Sequence, residues 1–157
     1  FNELEEKSLL KIEGPKGGFY FREDSDMPII LVAGGTGFAP IKAIVEHMIT
    51  VGIEREVFIY WGVRDEPDIY MSIPEKWSRI HKNIHFVPVL SEPNIKWNGR
   101  VGFVHESVLQ DFEDLSEYEI YACGPPIMVE SAANTFVKHG MKKDKFYSDA
   151  FEFAFEM

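Results

Sequence analysis

The 157 residues suffice for one α/β domain with a full core and are too few for two domains of ordinary size. With 45% hydrophobic and 27% charged residues the composition is that of a globular chain, and no run is long and uncharged enough to span a membrane. A net charge of −10 argues against nucleic-acid or acidic-membrane partners, which need a basic patch, and the single cysteine, Cys123, excludes an internal disulfide, a zinc ribbon or a cysteine-ligated iron–sulfur cluster within the chain.

In chain order, residues 9–21 (LLKIEGPKGGFYF) alternate like a half-exposed strand and break at Gly14, Pro15, Gly17 and Gly18, which suits antiparallel β structure with a tight turn. Polar residues 22–28 (REDSDMP) read as a linker, so a boundary is expected between residues 20 and 28. Four apolar, β-rich runs follow, at residues 29–33, 57–61, 84–90 and 118–123, with a short fifth at 145–148 after the helix-ending Gly140. Between them lie helical stripes: Ile41, Ile44, Val45 and Met48; Trp77 and Ile80; Val104, Val108 and Phe112; Ala132, Phe136 and Val137. Strands alternating with helices predict right-handed βαβ units and a doubly wound, five-stranded parallel sheet. The chain opens on Phe1 with no secretory pattern, so a piece of a longer, cytoplasmic protein is expected.

The first of these strands runs into Gly34, Gly35, Thr36 and Gly37, and a helix follows three residues later, which is the layout of a phosphate site. Glycines allow a sharp turn and close approach of backbone N–H groups, and the helix N-terminus adds a positive dipole end. Pro40 replaces the last glycine of the common dinucleotide pattern; its fixed φ and missing N–H suit the first turn of a helix. A plain strand-to-helix turn would read the same way, so a second signal is needed. It comes from residues 121–128 (YACGPPIM), another strand that ends in a small residue, Gly and Pro ahead of a helix. Two such carboxyl ends become neighbours where strand order reverses, and a ligand binds in the crevice between them. The end of the second strand, Gly62, Val63 and Arg64, falls where an adenosine ribose would lie. Arg64 suits an adenine ring or a 2′-phosphate, and Asp65 or Asp68 suits ribose hydroxyls.

Taken together, these blocks resemble the nicotinamide-binding half of the ferredoxin–NADP reductase superfamily, in the branch of oxygenase reductases and NAD(P)H–flavin reductases. The matching blocks are GPKGGF at 14–19, GGTGFAP at 34–40, YWGVRDEPDIYM at 60–71, VPVLSEP at 87–93, GRVGFVHESVLQDF at 99–112, YACGPPIMV at 121–129 and SDAF at 148–151. They cover nearly the whole chain, and the nearest look within the superfamily is to CDP-6-deoxy-glucoseen reductase-like proteins.

The resemblance implies a ferredoxin reductase-like NADP-linked domain over residues 21–157, preceded at 1–20 by only the last strand and turn of a flavin-binding β-barrel. It implies NADH or NADPH as cofactor and FAD held mainly by a domain outside this chain, since the barrel's Arg-x-Tyr-Ser/Thr type motif is not found. Implied dinucleotide contacts are Gly35, Thr36, Gly37, Phe38, Pro40, Gly62, Val63, Arg64, Tyr70, Cys123, Gly124, Pro125 and Met128. Cys123 matches the cysteine near nicotinamide C4 and flavin N5, and Phe151 matches the aromatic segment that competes for the flavin face. The implied chemistry is hydride transfer from C4 to N5, with Cys123, Thr36 and Phe151 as positioners, followed by one-electron steps to an iron–sulfur centre, a ferredoxin-type domain of the same protein, or a separate acceptor protein.

Plainer readings stand beside these. A lone cysteine is more often a small buried apolar residue, and only its place before Gly124 and Pro125 favours a role. Phe151, Phe153 and Phe155 also fit a terminal strand edge. The histidines at 47, 81, 85, 105 and 139 show no ligand-like pairing, so no metal site is expected. Among rivals, a methyltransferase would place an acidic residue at the end of the second strand, where Trp61, Gly62 and Val63 stand instead. A dinucleotide-binding sensor or docking module without turnover of its own remains the alternative from another class. Asp65 beside Arg64, with no Ser/Lys cluster, favours NADH over NADPH.

Overall fold

The computed structural model describes residues 17–150 together with Leu9, Lys11 and Glu13. Phe151, and the Gly14–Pro15 part of the first turn, lie outside the described residues.

Among the described residues, six parallel strands form one sheet: β1 (Ile29–Gly34), β2 (Val57–Val63), β3 (Ile84–Leu90), β4 (Arg100–Val101), β5 (Glu119–Cys123) and β6 (Phe146–Ser148), in the spatial order β4-β3-β2-β1-β5-β6. All six residues of β1 are buried. That is what a central strand covered on both faces requires, and it explains an unbroken IILVAG run in place of an alternating one. Pairing is in register from Ile29↔Val57 to Gly34↔Gly62 on one side and from Ile29↔Glu119 to Ala33↔Cys123 on the other.

The faces are divided by strand parity. Ile29, Leu31 and Ala33 pack with Tyr121 and Cys123 under α1 (Phe38–Val51) and α2 (Ile73–Ile80), whereas Ile30, Val32 and Ala122 pack under α3 (Val104–Asp111) and α4 (Pro126–Val137). Each fully buried aliphatic side chain contributes about 1.5–3 kcal/mol, so the two layers share the work of holding the sheet. Helix α1 stops at Gly52, whose φ of 76° lets its N–H reach the Met48 carbonyl.

The sheet has one strand more than the five expected. Strand β4 is two residues long, pairs Val89↔Arg100 and Leu90↔Val101, and is too short to show any alternation. The last strand starts at Phe146, because Lys145 closes a 3₁₀ turn. Two stripe assignments also change. Ile80 ends α2 exposed, since this two-turn helix buries only Pro74 and Trp77, and Val137 is exposed at the end of α4.

The polar segment before β1 is fastened to the sheet. Arg55 donates from Nε to the Met27 carbonyl at 2.6 Å and from Nη1 to the Arg22 carbonyl at 2.9 Å, while its Nη2 meets Glu119 at 2.6 Å. Both partners of that ion pair are almost completely buried. The Arg22 N–H donates to the Tyr121 hydroxyl at 3.0 Å, and Phe19 and Phe21 pack on the Tyr121 ring.

Candidate functional site: a cleft at the carboxyl edge of the sheet

Because β1 lies between β2 and β5, the winding direction reverses there, and the loops after β1 and β5 emerge side by side. Their backbones touch. A Cβ on Gly37 would fall on the Cys123 carbonyl, 2.5 Å from its carbon and 2.7 Å from Gly124 Cα. A Cβ on Gly124, whose φ is 149°, would sit 3.0 Å from the backbone of Gly34. Met128 and Pro125 fill the space beside Gly34, with Met128 Sδ 2.6 Å and Pro125 Cδ 2.9 Å from where its Cβ would be. The glycines at 34, 37 and 124 thus bring two loops into van der Waals contact.

A cleft of about 890 Å³ opens above this junction. Its floor is Gly34, Gly35 and Thr36; its walls come from Gly62, Val63, Arg64 and Tyr70 on one side and from Pro125 and Met128 on the other. Gly35 is the exception among the loop glycines: its φ is 54° and a Cβ there would meet nothing within 4 Å. The space over the loop is open, as a backbone that receives a phosphate needs.

Two expected contacts act from below the cleft. Phe38 is fully buried and stacks on Trp61 at 4.2 Å with 16° between planes. Trp61 in turn donates from Nε1 to the Gly35 carbonyl at 2.9 Å and meets Tyr70 edge-on at 5.0 Å. Phe38 therefore holds the loop's shape and does not line the cleft. Pro40 is the third residue of α1, in the first turn, where its missing N–H has no intrahelical acceptor, and it too is off the cleft wall.

Cys123 is also not a wall residue. Strand parity turns its side chain to the α1 face, where the thiol donates to Asp149 Oδ2 at 2.8 Å. Burial, and then the hydrogen bond and charge of Asp149, push the thiol pKa well above its ordinary value, so Cys123 is a neutral thiol at physiological pH. It is a hydrogen-bond donor at the loop junction, and a thiol held protonated is a poor nucleophile. Asp149 Oδ1 is buried and has no hydrogen-bond partner among the described residues. Asp149 lies in the SDAF block but received no role from the sequence, because nothing local to it shows that its partner is Cys123.

The third wall was missed as well. The start of α3 contributes Phe103, Val104, His105 and Glu106. A Cβ on Gly62 would lie 2.8 Å from Val104 Cβ, so this helix end presses on β2. Phe103 is exposed and lies parallel to His105 at 5.8 Å. The His105 pKa is lowered by burial, which keeps the ring neutral at pH 7. The available sequence signal was Gly102–Phe103, a glycine and an aromatic directly ahead of the Val104 stripe; in the structure Phe103 is exposed there and Gly102 has a φ of 117°.

Of the two acidic candidates at the far end, Asp68 lines the cleft, whereas Asp65 caps the short 3₁₀ turn by accepting the Glu66 N–H at 2.8 Å. Arg64 is paired with Glu92, Nε to Oε2, at 2.9 Å.

Residues 31–134 match the family model described as the oxidoreductase NAD-binding domain, about two thirds of the chain and all of the cleft-forming loops. The chain belongs to this family. Within it, the chain is 49% identical over 151 residues to the CDP-6-deoxy-L-threo-D-glycero-4-hexulose-3-dehydrase reductase of Yersinia pestis, covering 96% of this chain and 46% of that protein. It is 34% identical over 156 residues to an NAD(P)H-flavin reductase of Vibrio harveyi, covering 96% of this chain and 64% of the relative. Among solved structures, the Amycolatopsis cytochrome P450 reductase GcoB superposes with a TM-score of 0.80 at 31% identity, over 87% of this chain and 42% of that one. The chain spans about half the length of the dehydrase reductase it matches. Membership of the NAD-binding domain family agrees with the expectation of a nicotinamide-nucleotide domain, and the reductase relatives agree with the resemblance given above. No helix among the described residues is long and apolar enough to cross a membrane.

Proposed function

We propose that this chain is the NAD(P)H-binding unit of a flavin-dependent reductase, positioning nicotinamide for hydride transfer to FAD or FMN held mainly by a segment outside it. The observation that carries the reading is the contact of Gly37 with Cys123 and Gly124 at the sheet's switch point, directly under an open cleft. When bound, the nicotinamide and flavin supply the hydride donor C4 and acceptor N5, and the protein's task is alignment.

The residues divide that task. Thr36 and the start of α1 receive the pyrophosphate, with Gly35 leaving room for its approach. Gly62, Val63, Arg64 and Tyr70 take the adenosine half. Pro125 and Met128 border the half nearer β5. Cys123, held by Asp149, orients the edge at which the two rings meet, and Phe151 is assigned to the flavin side. Residues 1–20 belong to the end of the flavin barrel, and residues 21–157 to the nucleotide domain. Electrons then pass to a ferredoxin-type iron–sulfur domain, a separate acceptor protein or an oxygenase. The names of the relatives, a dehydrase reductase and a cytochrome P450 reductase, support such an onward step. The single cysteine supports a cytoplasmic setting.

Calorimetric titration of the chain with NADH, NADPH and S-adenosylmethionine tests the reading. Binding of a nicotinamide nucleotide alone is expected. Binding of S-adenosylmethionine alone would overturn it. Joined to a flavin-binding barrel, the chain should oxidise the bound nucleotide; binding without turnover in any such pairing would instead mark a sensor.

A further inference from the structure

We propose that Glu92, by engaging Arg64, makes the adenosine end of the cleft selective for NADH over NADPH, an inference that rests on the nicotinamide reading above. The loops along the carboxyl edge follow sheet order, from β5 through β1 and β2 to β3. Three strand spacings, about 14 Å, separate the β5 loop from the β3 loop. With the nicotinamide half nearer β5 and the pyrophosphate over β1, the adenosine ribose falls between the ends of β2 and β3, where Arg64 and Glu92 stand.

Arg64 is the cation that would welcome a 2′-phosphate, and it is already engaged. Its Nε donates to Glu92 Oε2 at 2.9 Å. The pairing is arranged by the backbone, because the Glu92 N–H donates to the Arg64 carbonyl at 2.8 Å and the Ser91 N–H to the Val63 carbonyl at 3.0 Å. The two residues therefore face each other before any ligand arrives. Both side chains are largely exposed, so the pair adds little to stability. Its consequence is electrostatic. With Arg64 compensated, Asp68 and Glu106 leave the lining at this end acidic. A 2′-phosphate group, carrying about −1.5 to −2 at pH 7, would meet uncompensated carboxylates, while a 2′-hydroxyl finds acceptors in them.

The test is parallel calorimetric titration of the chain and its Glu92→Gln, Arg64→Ala and doubly substituted variants with NADH and NADPH. The unsubstituted chain should bind NADH at least about tenfold more tightly than NADPH, and Glu92→Gln should tighten NADPH several-fold with NADH changed less than about twofold. That gain should vanish when Arg64→Ala is added. Because screening weakens repulsion between exposed charges, raising the salt concentration should narrow the preference, whereas a steric rejection would not respond. Equal affinities in the unsubstituted chain, or a preference unchanged by Glu92→Gln at any salt concentration, would overturn the inference while leaving the dinucleotide site intact. Binding of neither nucleotide, by the chain or by the chain joined to a flavin-binding barrel, would overturn the nicotinamide reading and this inference with it.

Discussion

The Cys123 thiol, at the end of β5, donates a hydrogen bond of 2.8 Å to the Asp149 carboxylate just past β6. The contact ties the sheet's last two strands together beside the junction of the glycine loops. In the chain joined to a flavin-binding barrel, Cys123→Ala should lower the hydride-transfer rate about tenfold, with a smaller loss of nucleotide affinity, since placement within a fraction of an ångström governs the rate. Stopped-flow reduction beside equilibrium titration separates the two quantities. Equal losses in both would make Cys123 a packing residue only. Asp149→Asn should reproduce part of the rate loss, because an amide can still accept the thiol hydrogen while the carboxylate's charge is gone.

The loop glycines at 35 and 37 should respond in opposite ways to the same substitution. Gly37→Ala pushes a methyl group into the Cys123 carbonyl, which is backbone and cannot swing aside, so a stability loss of about 3 kcal/mol is expected from overpacking. Gly35→Ala meets open space and incurs only the strain of a left-handed residue, about 1–2 kcal/mol, but its methyl group projects where the ligand is expected. Denaturant melts should therefore rank Gly37→Ala as the less stable. Nucleotide titration of the folded fraction should show the larger affinity loss for Gly35→Ala.

Those two glycines also mark how far the sequence could be read. The run from Ile29 into GGTG shows a strand, a turn and a helix start because each step has a strong local cause: β-branched burial, glycine freedom and a proline in the first turn. The second loop at Cys123–Pro125 was legible for the same reason, and together they imply the β1–β5 adjacency that the sheet has. What escaped depends on distance in the chain. Asp149 and Glu92 matter through partners 26 and 28 residues away, and no local spacing encodes those pairings. Strand β4 exists only because β3 offers an edge, and Phe38 looked like a contact residue because sequence alone does not show that Trp61 covers it.

The buried Arg55–Glu119 pair should be strongly asymmetric under mutation. Replacing Arg55 by Met leaves the Glu119 carboxylate, among the described residues, with Lys145 at 3.3 Å, and releases the Arg22 and Met27 carbonyls, so a loss of about 3–5 kcal/mol is expected. Replacing both partners by Met should cost clearly less than the sum of the single changes, because no unpaired charge stays behind. A double-mutant cycle in urea measures the difference. Strict additivity would show that the pair is not coupled.

Stability should fall at alkaline pH, and the sign follows from three buried acids. Tyr60 is fully buried and donates to Asp111 at 2.6 Å; burial first, and then that hydrogen bond, push its pKa far up. Tyr121 is pushed up to about 12, mainly by burial, and the Cys123 thiol is raised by burial and then by Asp149. Each therefore keeps its proton in the folded chain at a pH where the unfolded chain has released it. The unfolded state then binds fewer protons, so unfolding free energy decreases as pH rises. The decline should begin near pH 9, where the unfolded thiol titrates, and steepen above pH 10, where unfolded tyrosines join it. Each group then contributes a slope of about 1.4 kcal/mol per pH unit until its folded-state pKa is reached. Guanidinium melts from pH 8 to pH 11 read this slope directly, and Tyr60→Phe should flatten it above pH 10 while lowering stability at pH 8 through the lost hydrogen bond. A slope unchanged by Tyr60→Phe would place the alkaline sensitivity on other groups.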